Sequence, residues 1–158
     1  GPDRITKGSG KLLPGLTADE EGLISKKFLY DESYVLYSKI RPYLRKCALA
    51  KGPGLCSADM YPIKVKDGLA TREFVWMLLL SDYFTSYTET LPDRASIPKL
   101  NRNELSKFEF SLPDFVLQEK YSLIVKQTEL LTNKYEIGGM GVQQLFGSLS
   151  QKAFAGEL

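Results

Sequence analysis

Residues 35–46 read VLYSKIRPYLRK and hold the densest set of anion-binding side chains in the chain. Written as an extended strand, side chains alternate between faces. Tyr37, Lys39, Arg41, Tyr43 and Arg45 then share one side, while Leu36, Ile40 and Leu44 share the other. Cations and hydroxyl donors on a strand face suit the phosphates of a nucleic acid. Pro42 cannot donate to a sheet ladder, so the expected strand is an edge strand or is bulged there. Between residues 33 and 58 there are five basic residues (Lys39, Arg41, Arg45, Lys46 and Lys51) and no acidic one. The net charge is only +2, so distribution matters more than total. Residues 1–112 carry 17 basic against 14 acidic side chains, and residues 113–158 four against five.

Other chemistries find little to build on. There is no histidine, which removes the commonest general base and the Ser-His and Cys-His nucleophile pairs. Cys47 and Cys56 cannot complete a zinc site of four ligands and read as reduced, partly buried thiols. EIGGMG, with Gly138, Gly139 and Gly141, lacks the lysine and hydroxyl that follow in a P-loop. An enzyme would have to use carboxylates such as Asp59 and Glu73, as in a metal-dependent nuclease. No apolar run approaches the ~20 residues of a membrane span, and no secretory leader pattern opens the chain. The expectation is a globular, cytoplasmic protein with 43% hydrophobic residues for its core.

The elements that must position these residues read as α+β. Residues 1–22 are loop with short strands at most. Residues 25–44 read as two extended segments around the turn formers Asp31, Glu32 and Ser33, and residues 55–66 as another alternating stretch after the turn at Gly52, Pro53 and Gly54. Residues 72–90 change to helical period, with Phe74, Val75, Leu78, Leu79, Tyr83 and Phe84 on a buried face. Residues 95–113 predict an extended piece, a helical turn and a strand. Asn101 and Glu104 have capping-box spacing, so Asn101 reads as a cap and not a base reader.

From 116 to 154 a heptad emerges. Leu117, Ile124, Leu131 and Leu145 fall in one column, and Tyr121, Thr128, Tyr135, Val142 and Leu149 in a second, offset by four. The register survives Gly138–141, although each glycine there costs about 1 kcal/mol against alanine. One helix of ~58 Å, weak or kinked near 136–141, is expected, with helix–loop–helix as the alternative. Nothing else in the chain is long enough to cover such a seam, so a partner helix is expected on it, with a helix folded back on its own domain as the alternative.

Taken together, VLYSKIRPYLRK, CSADMYPI, IPKLNRNELSKFEFSLP, QEKYSLIVKQTELL and LFGSLSQKAFAGEL resemble the specificity subunits of type I restriction-modification systems. The resemblance runs from residue 5 to 158. It implies a β-rich DNA target recognition domain at 1–112, starting after its first strands, and a conserved spacer helix at 113–158 that forms an antiparallel coiled coil. A full subunit has two of each, so this chain matches half of one, either a dimerising half-subunit or a part of a longer chain.

Such a protein is non-catalytic, binds one half of a bipartite target in double-stranded DNA, and docks a methyltransferase subunit and, through it, the restriction subunit. It needs no cofactor itself, since S-adenosylmethionine, Mg and ATP belong to partner subunits. A coiled-coil interaction module without specific DNA binding is the competing class. Three stretches qualify for DNA contact: Lys7, Ser9 and Lys11 in KGSGK; Lys39, Arg41, Tyr43, Arg45 and Lys46; and Arg94, Ser96 and Lys99 in DRASIPK. A motif shared by proteins with different targets is a poor base reader. The resemblance therefore assigns Lys39, Arg41, Arg45 and Lys46 to scaffold or phosphate positioning, and leaves base reading to the other two loops.

Overall fold

The computed structural model describes residues 1–15, 27–92, 96–135 and 152. Among the described residues, five strands, β1 (Lys27–Tyr30), β2 (Tyr34–Ser38), β3 (Cys47–Leu49), β4 (Gly54–Ser57) and β5 (Met60–Lys64), precede the α-helices α1 (Arg72–Leu80), α2 (Asp82–Glu89), α3 (Arg102–Ser106) and α4 (Phe115–Tyr135). The strands form two antiparallel sheets, β1-β4 and β3-β2-β5. The α+β class read from the sequence is therefore observed.

The strand expected over 35–46 ends at Ser38, and its wet face does not exist. β2 is the central strand of its sheet, and Val35, Leu36, Tyr37 and Ser38 are all buried. Val35 and Tyr37 join a core with Cys47, Leu49, Phe74, Trp76, Leu78 and Phe84. Leu36, on the opposite face, joins a second core with Ile5, Ala48, Ala50, Cys56 and Met60. Two faces buried against two cores leave no position in β2 for a solvated cation. Pro42 starts a 3-10 turn, Pro42–Leu44, where its fixed φ is an asset. The proline inside a strand is Pro62 of β5, which is an edge strand.

The helical stretch at 72–90 is two helices and not one. Ser81 is extended, at φ −69° and ψ 156°; its Oγ donates to the Leu78 carbonyl at 2.6 Å and accepts from the Phe84 N–H at 3.2 Å. One serine thus ends α1 and caps α2. Residues 108–110, expected as a strand, have no ladder partner among the described residues. Aromatic packing holds them instead, with Phe108 edge-on to Phe84 at 4.9 Å and against Tyr87 at 5.0 Å. The expected cap is present: Asn101 Oδ1 accepts from the Glu104 N–H at 2.9 Å, and Glu104 Oε2 from the Asn101 N–H at 3.0 Å.

α4 packs along α1 through Gln118, Tyr121, Ser122, Val125 and Thr128, the i, i+3, i+4, i+7 spacing of one helix face. This corrects the expected partner seam. Tyr121 and Thr128 are 6% and 5% exposed, and Tyr121 belongs to the domain's own core. Burial of Tyr121 and Val125 contributes roughly 1.5–3 kcal/mol each, while the polar residues set direction. Gln118, 1% exposed, accepts the Thr71 N–H at 3.0 Å and donates to the carbonyls of Leu69 at 3.1 Å and Pro113 at 2.8 Å. The Ser122 hydroxyl donates to Glu73 Oε2 at 3.1 Å, and Arg72 Nε pairs with Glu73 Oε1 at 3.3 Å. Leu117 and Leu131 remain 48% and 44% exposed, Tyr135 is 60% exposed and Ile124 is half-buried. Val142, Leu145, Leu149 and the three glycines lie outside the described residues.

Two tests follow from this packing. Gln118→Leu leaves one buried N–H and two carbonyls without partners, and should lower unfolding free energy in denaturant melts by about 2–4 kcal/mol. Complete burial raises the Cys47 thiol pKa, and burial raises that of the Tyr37 hydroxyl. Both groups stay protonated in the fold where the unfolded chain would ionise. Their stabilisation is therefore intact below the unfolded pKa values and falls as pH rises above about 8.5. Denaturant midpoints measured from pH 8 upward should decline, and Cys47→Ala should flatten the first part of that decline.

Candidate nucleic-acid interface

The described parts of the three stretches singled out for anion binding, residues 7–11, 39–46 and 96–99, meet at one rim. Residues 5–12 form a narrow finger, closed by the Ile5–Leu12 bridge and by the Thr6 N–H donating to the Lys11 carbonyl at 3.0 Å. KGSGK is its tip, and Gly8 and Gly10 take φ of 65° and 66°, which glycine adopts without strain. The Gly8 N–H donates to the Arg45 carbonyl at 3.2 Å, placing the finger against the 42–44 turn. On the other side of that turn, the Arg41 N–H donates to the Pro98 carbonyl at 2.8 Å, and the Leu100 N–H to the Lys39 carbonyl at 2.8 Å. A cleft of about 520 Å³ opens beside the turn, with Tyr43, Thr88, Ile97 and Pro98 among its walls.

The basic side chains of this rim divide by what they touch. Arg45 Nη2 lies 2.6 Å from Asp82 Oδ1, and its Nη1 donates to the Leu80 carbonyl at 3.4 Å. Lys46 Nζ donates to the Pro2 carbonyl at 2.8 Å. Lys39 Nζ sits 5.6 Å from the centroid of the Tyr61 ring, and Lys99 Nζ lies 3.7 Å from Asp59 Oδ1. Lys7, Lys11, Arg41 and Ser96 are exposed, as is Tyr43 at 53%. Ser9 is half-buried, its hydroxyl bonded to Thr6 Oγ1. Arg94 lies outside the described residues.

The carboxylates considered for a nuclease are placed apart in role. Asp59 pairs with Lys99, while Glu73 is 5% exposed and bound by Arg72 and Ser122 between α1 and α4. Among the described residues, no three of Asp, Glu, Cys and His cluster to hold a metal. Among them, too, no helix is long and apolar enough to cross a membrane.

Sequence reasoning missed one surface. Val116, Leu123 and Leu130 are 62%, 59% and 64% exposed and fall seven residues apart. With Leu117, Ile124 and Leu131 they make apolar doublets at every second turn of α4, away from the face packed on α1. Doublets at seven-residue spacing are legible in the sequence, but the heptad reading sets the Leu117 column beside the Tyr121 column on a single seam.

Comparison with known proteins agrees with this architecture. Over an alignment 163 positions long that covers 99% of its length, the chain is 33% identical to the type I restriction enzyme EcoDI specificity subunit of Escherichia coli, of which it spans 36%. The fold matches that of a chain of a type I R-M system solved to explain complex assembly and conformational transition, with TM-score 0.65 and 23% identity over 94% of this chain and 37% of that one. It matches the HsdS subunit of Thermoanaerobacter tengcongensis at TM-score 0.65 and 21% identity, over 86% of this chain and 36% of that one. The chain thus spans little more than a third of the relatives it resembles. No protein-family model matches it.

The finger depends on close packing. A Cβ on Gly10 would fall 2.5 Å from Trp76 Nε1, at a φ of +66°. Trp76 cannot yield easily, because Nε1 donates to the Cys47 carbonyl at 3.2 Å. Gly10→Ala should cost about 1–3 kcal/mol in a thermal or denaturant melt, whereas Gly8→Ala, with open space around it, should cost less.

Proposed function

We propose that this chain is a DNA target-recognition unit of a type I restriction-modification complex. It binds one half of a bipartite duplex target and carries no catalytic step of its own. The identity to a specificity subunit across nearly the whole chain carries this reading. The convergence of the finger, the 42–44 turn and residues 96–100 on one rim supports it, since groove contact needs loops presented together. Phosphate contacts from the rim supply salt-dependent affinity, and the loops at either side of the turn supply base contacts.

α4 supports the second half of the proposal. A helix held to its domain on one face and lined with apolar doublets on another suits antiparallel pairing with a spacer helix, from a second copy or from the rest of a longer chain. That pairing sets the distance between two half-sites and offers a platform to a methyltransferase subunit. S-adenosylmethionine, Mg and ATP would belong to that subunit and to the restriction subunit, in the cytoplasm where the DNA is.

Two measurements test the reading. Titration of random duplex should show affinity that falls steeply with salt, and no cleavage when divalent metal is added. Absence of affinity at low salt, with the methyltransferase subunit present, would leave the interaction-module reading in its place. Leu123→Glu with Leu130→Glu should abolish helix pairing in light scattering or co-purification while leaving the melting temperature within a few degrees, because both side chains are exposed.

A further inference from the structure

Resting on the DNA reading above, we infer that Arg41 is the phosphate anchor of the 42–44 turn, and that Lys39, Arg45, Lys46 and Lys99 around it serve the fold. Arg41 and Arg45 bracket the 42–44 turn, and both lie in the left-handed region, with φ of 48° each. For a residue with a Cβ that geometry costs roughly 1–2 kcal/mol, which glycine or asparagine would reduce. At Arg45 the return is visible inside the chain, in the contacts to Asp82 and the Leu80 carbonyl. At Arg41 it is not: the residue is exposed, and its guanidinium has no ion-pair or hydrogen-bond partner among the described residues. A strained position whose side chain makes no contact among the described residues, while its backbone is fixed, points to a contact outside them.

The backbone around Arg41 is held from several sides. Its N–H donates to the Pro98 carbonyl at 2.8 Å, and its carbonyl accepts from the Leu44 N–H at 2.9 Å. The Arg45 N–H closes the turn on the Pro42 carbonyl at 2.9 Å, and the finger docks on the Arg45 carbonyl. A cation delivered from a rigid turn suits a contact that sets register on the duplex, which is the work of phosphate contacts. The planar guanidinium binds two phosphate oxygens at once. Tyr43, exposed on the same turn, offers a second donor of the kind that meets phosphate. Lys39, Arg45, Lys46 and Lys99 all have contacts within the chain. The basic stretch that looked like one surface is thus one outward arginine in a frame of engaged cations.

Arg41→Gly separates this role from a structural one, because glycine relieves the left-handed backbone. The intact variant chain should melt no lower than wild type. Wild type and variant are then each used to select duplexes from a randomised pool, and binding to selected and unselected duplex is followed against salt. Both proteins should return the same motif. The variant should bind both duplexes more weakly by one common factor, on the order of tenfold, with a log K against log salt slope shallower by about one. Arg41→Lys should restore the slope. Loss of one motif position with unchanged affinity for unselected duplex would make Arg41 a base reader and overturn the proposal. So would unchanged binding, or a lower melting temperature for Arg41→Gly. A wild-type chain that binds neither duplex overturns the DNA reading itself, and this inference with it.

Discussion

The burial of β2 on both faces is the constraint from which the rest of the molecule follows. Val35 and Tyr37 are 0% and 1% exposed on one side, and Leu36 is 3% exposed on the other. The strand is a partition between a helix-backed core and a smaller core closed by Ile5, Cys56 and Met60. Its register pairs Tyr37 with Cys47 on β3 and with Tyr61 on β5, so both neighbours are fixed by the same few residues. A strand so enclosed must end where polar residues begin. The chain leaves the sheet after Ser38, and the cations of the following segment are delivered to a rim instead of a sheet face.

The second constraint is polar. α4 is attached to α1 by a short apolar contact, Tyr121 and Val125, flanked by Gln118 on one side and Ser122 with Glu73 on the other. Apolar packing alone would tolerate small rotations of the helix, whereas buried hydrogen bonds lose their full strength when misaligned. The polar groups therefore hold the angle at which the helix leaves the domain. For a helix proposed to space two recognition units, that angle and the exposed doublets have to agree. One face of α4 is committed to its own domain, and another carries the exposed doublets.

Local signals in the sequence were reliable wherever the physics was local. The capping box of Asn101 and Glu104 and the helical character of most of 72–90 rest on groups a few residues apart, and they appear in the structure, with Tyr83 exposed and not on the buried face. Errors arose where a local pattern was compatible with two environments. Alternation across 35–46 reads as one amphipathic strand until Pro42 and two positive-φ arginines turn the chain. Ser81 reads as one polar residue within a helix until its extended backbone divides that helix. Likewise, FEF at 108–110 has strand composition, yet ring-to-ring contacts and not a ladder hold it.

What the sequence determined by itself was the α+β class, the lack of any histidine, the amphipathic helical period of 115–135 and the resemblance carried by its motifs. These are properties of composition, period and order, which need no knowledge of neighbours. Only the tertiary structure decided which cations are engaged and which apolar column is covered. Arg41 and Arg45 are the same residue type, with the same backbone angle, four positions apart. Asp82, far along the chain, engages one, and none of the described residues engages the other. Tyr121 and Leu117 stand in adjacent heptad columns, and packing of α1 buries the first while leaving the second in solvent. Both distinctions are set by contacts between distant segments, and the intrinsic chemistry of a residue does not specify its neighbours.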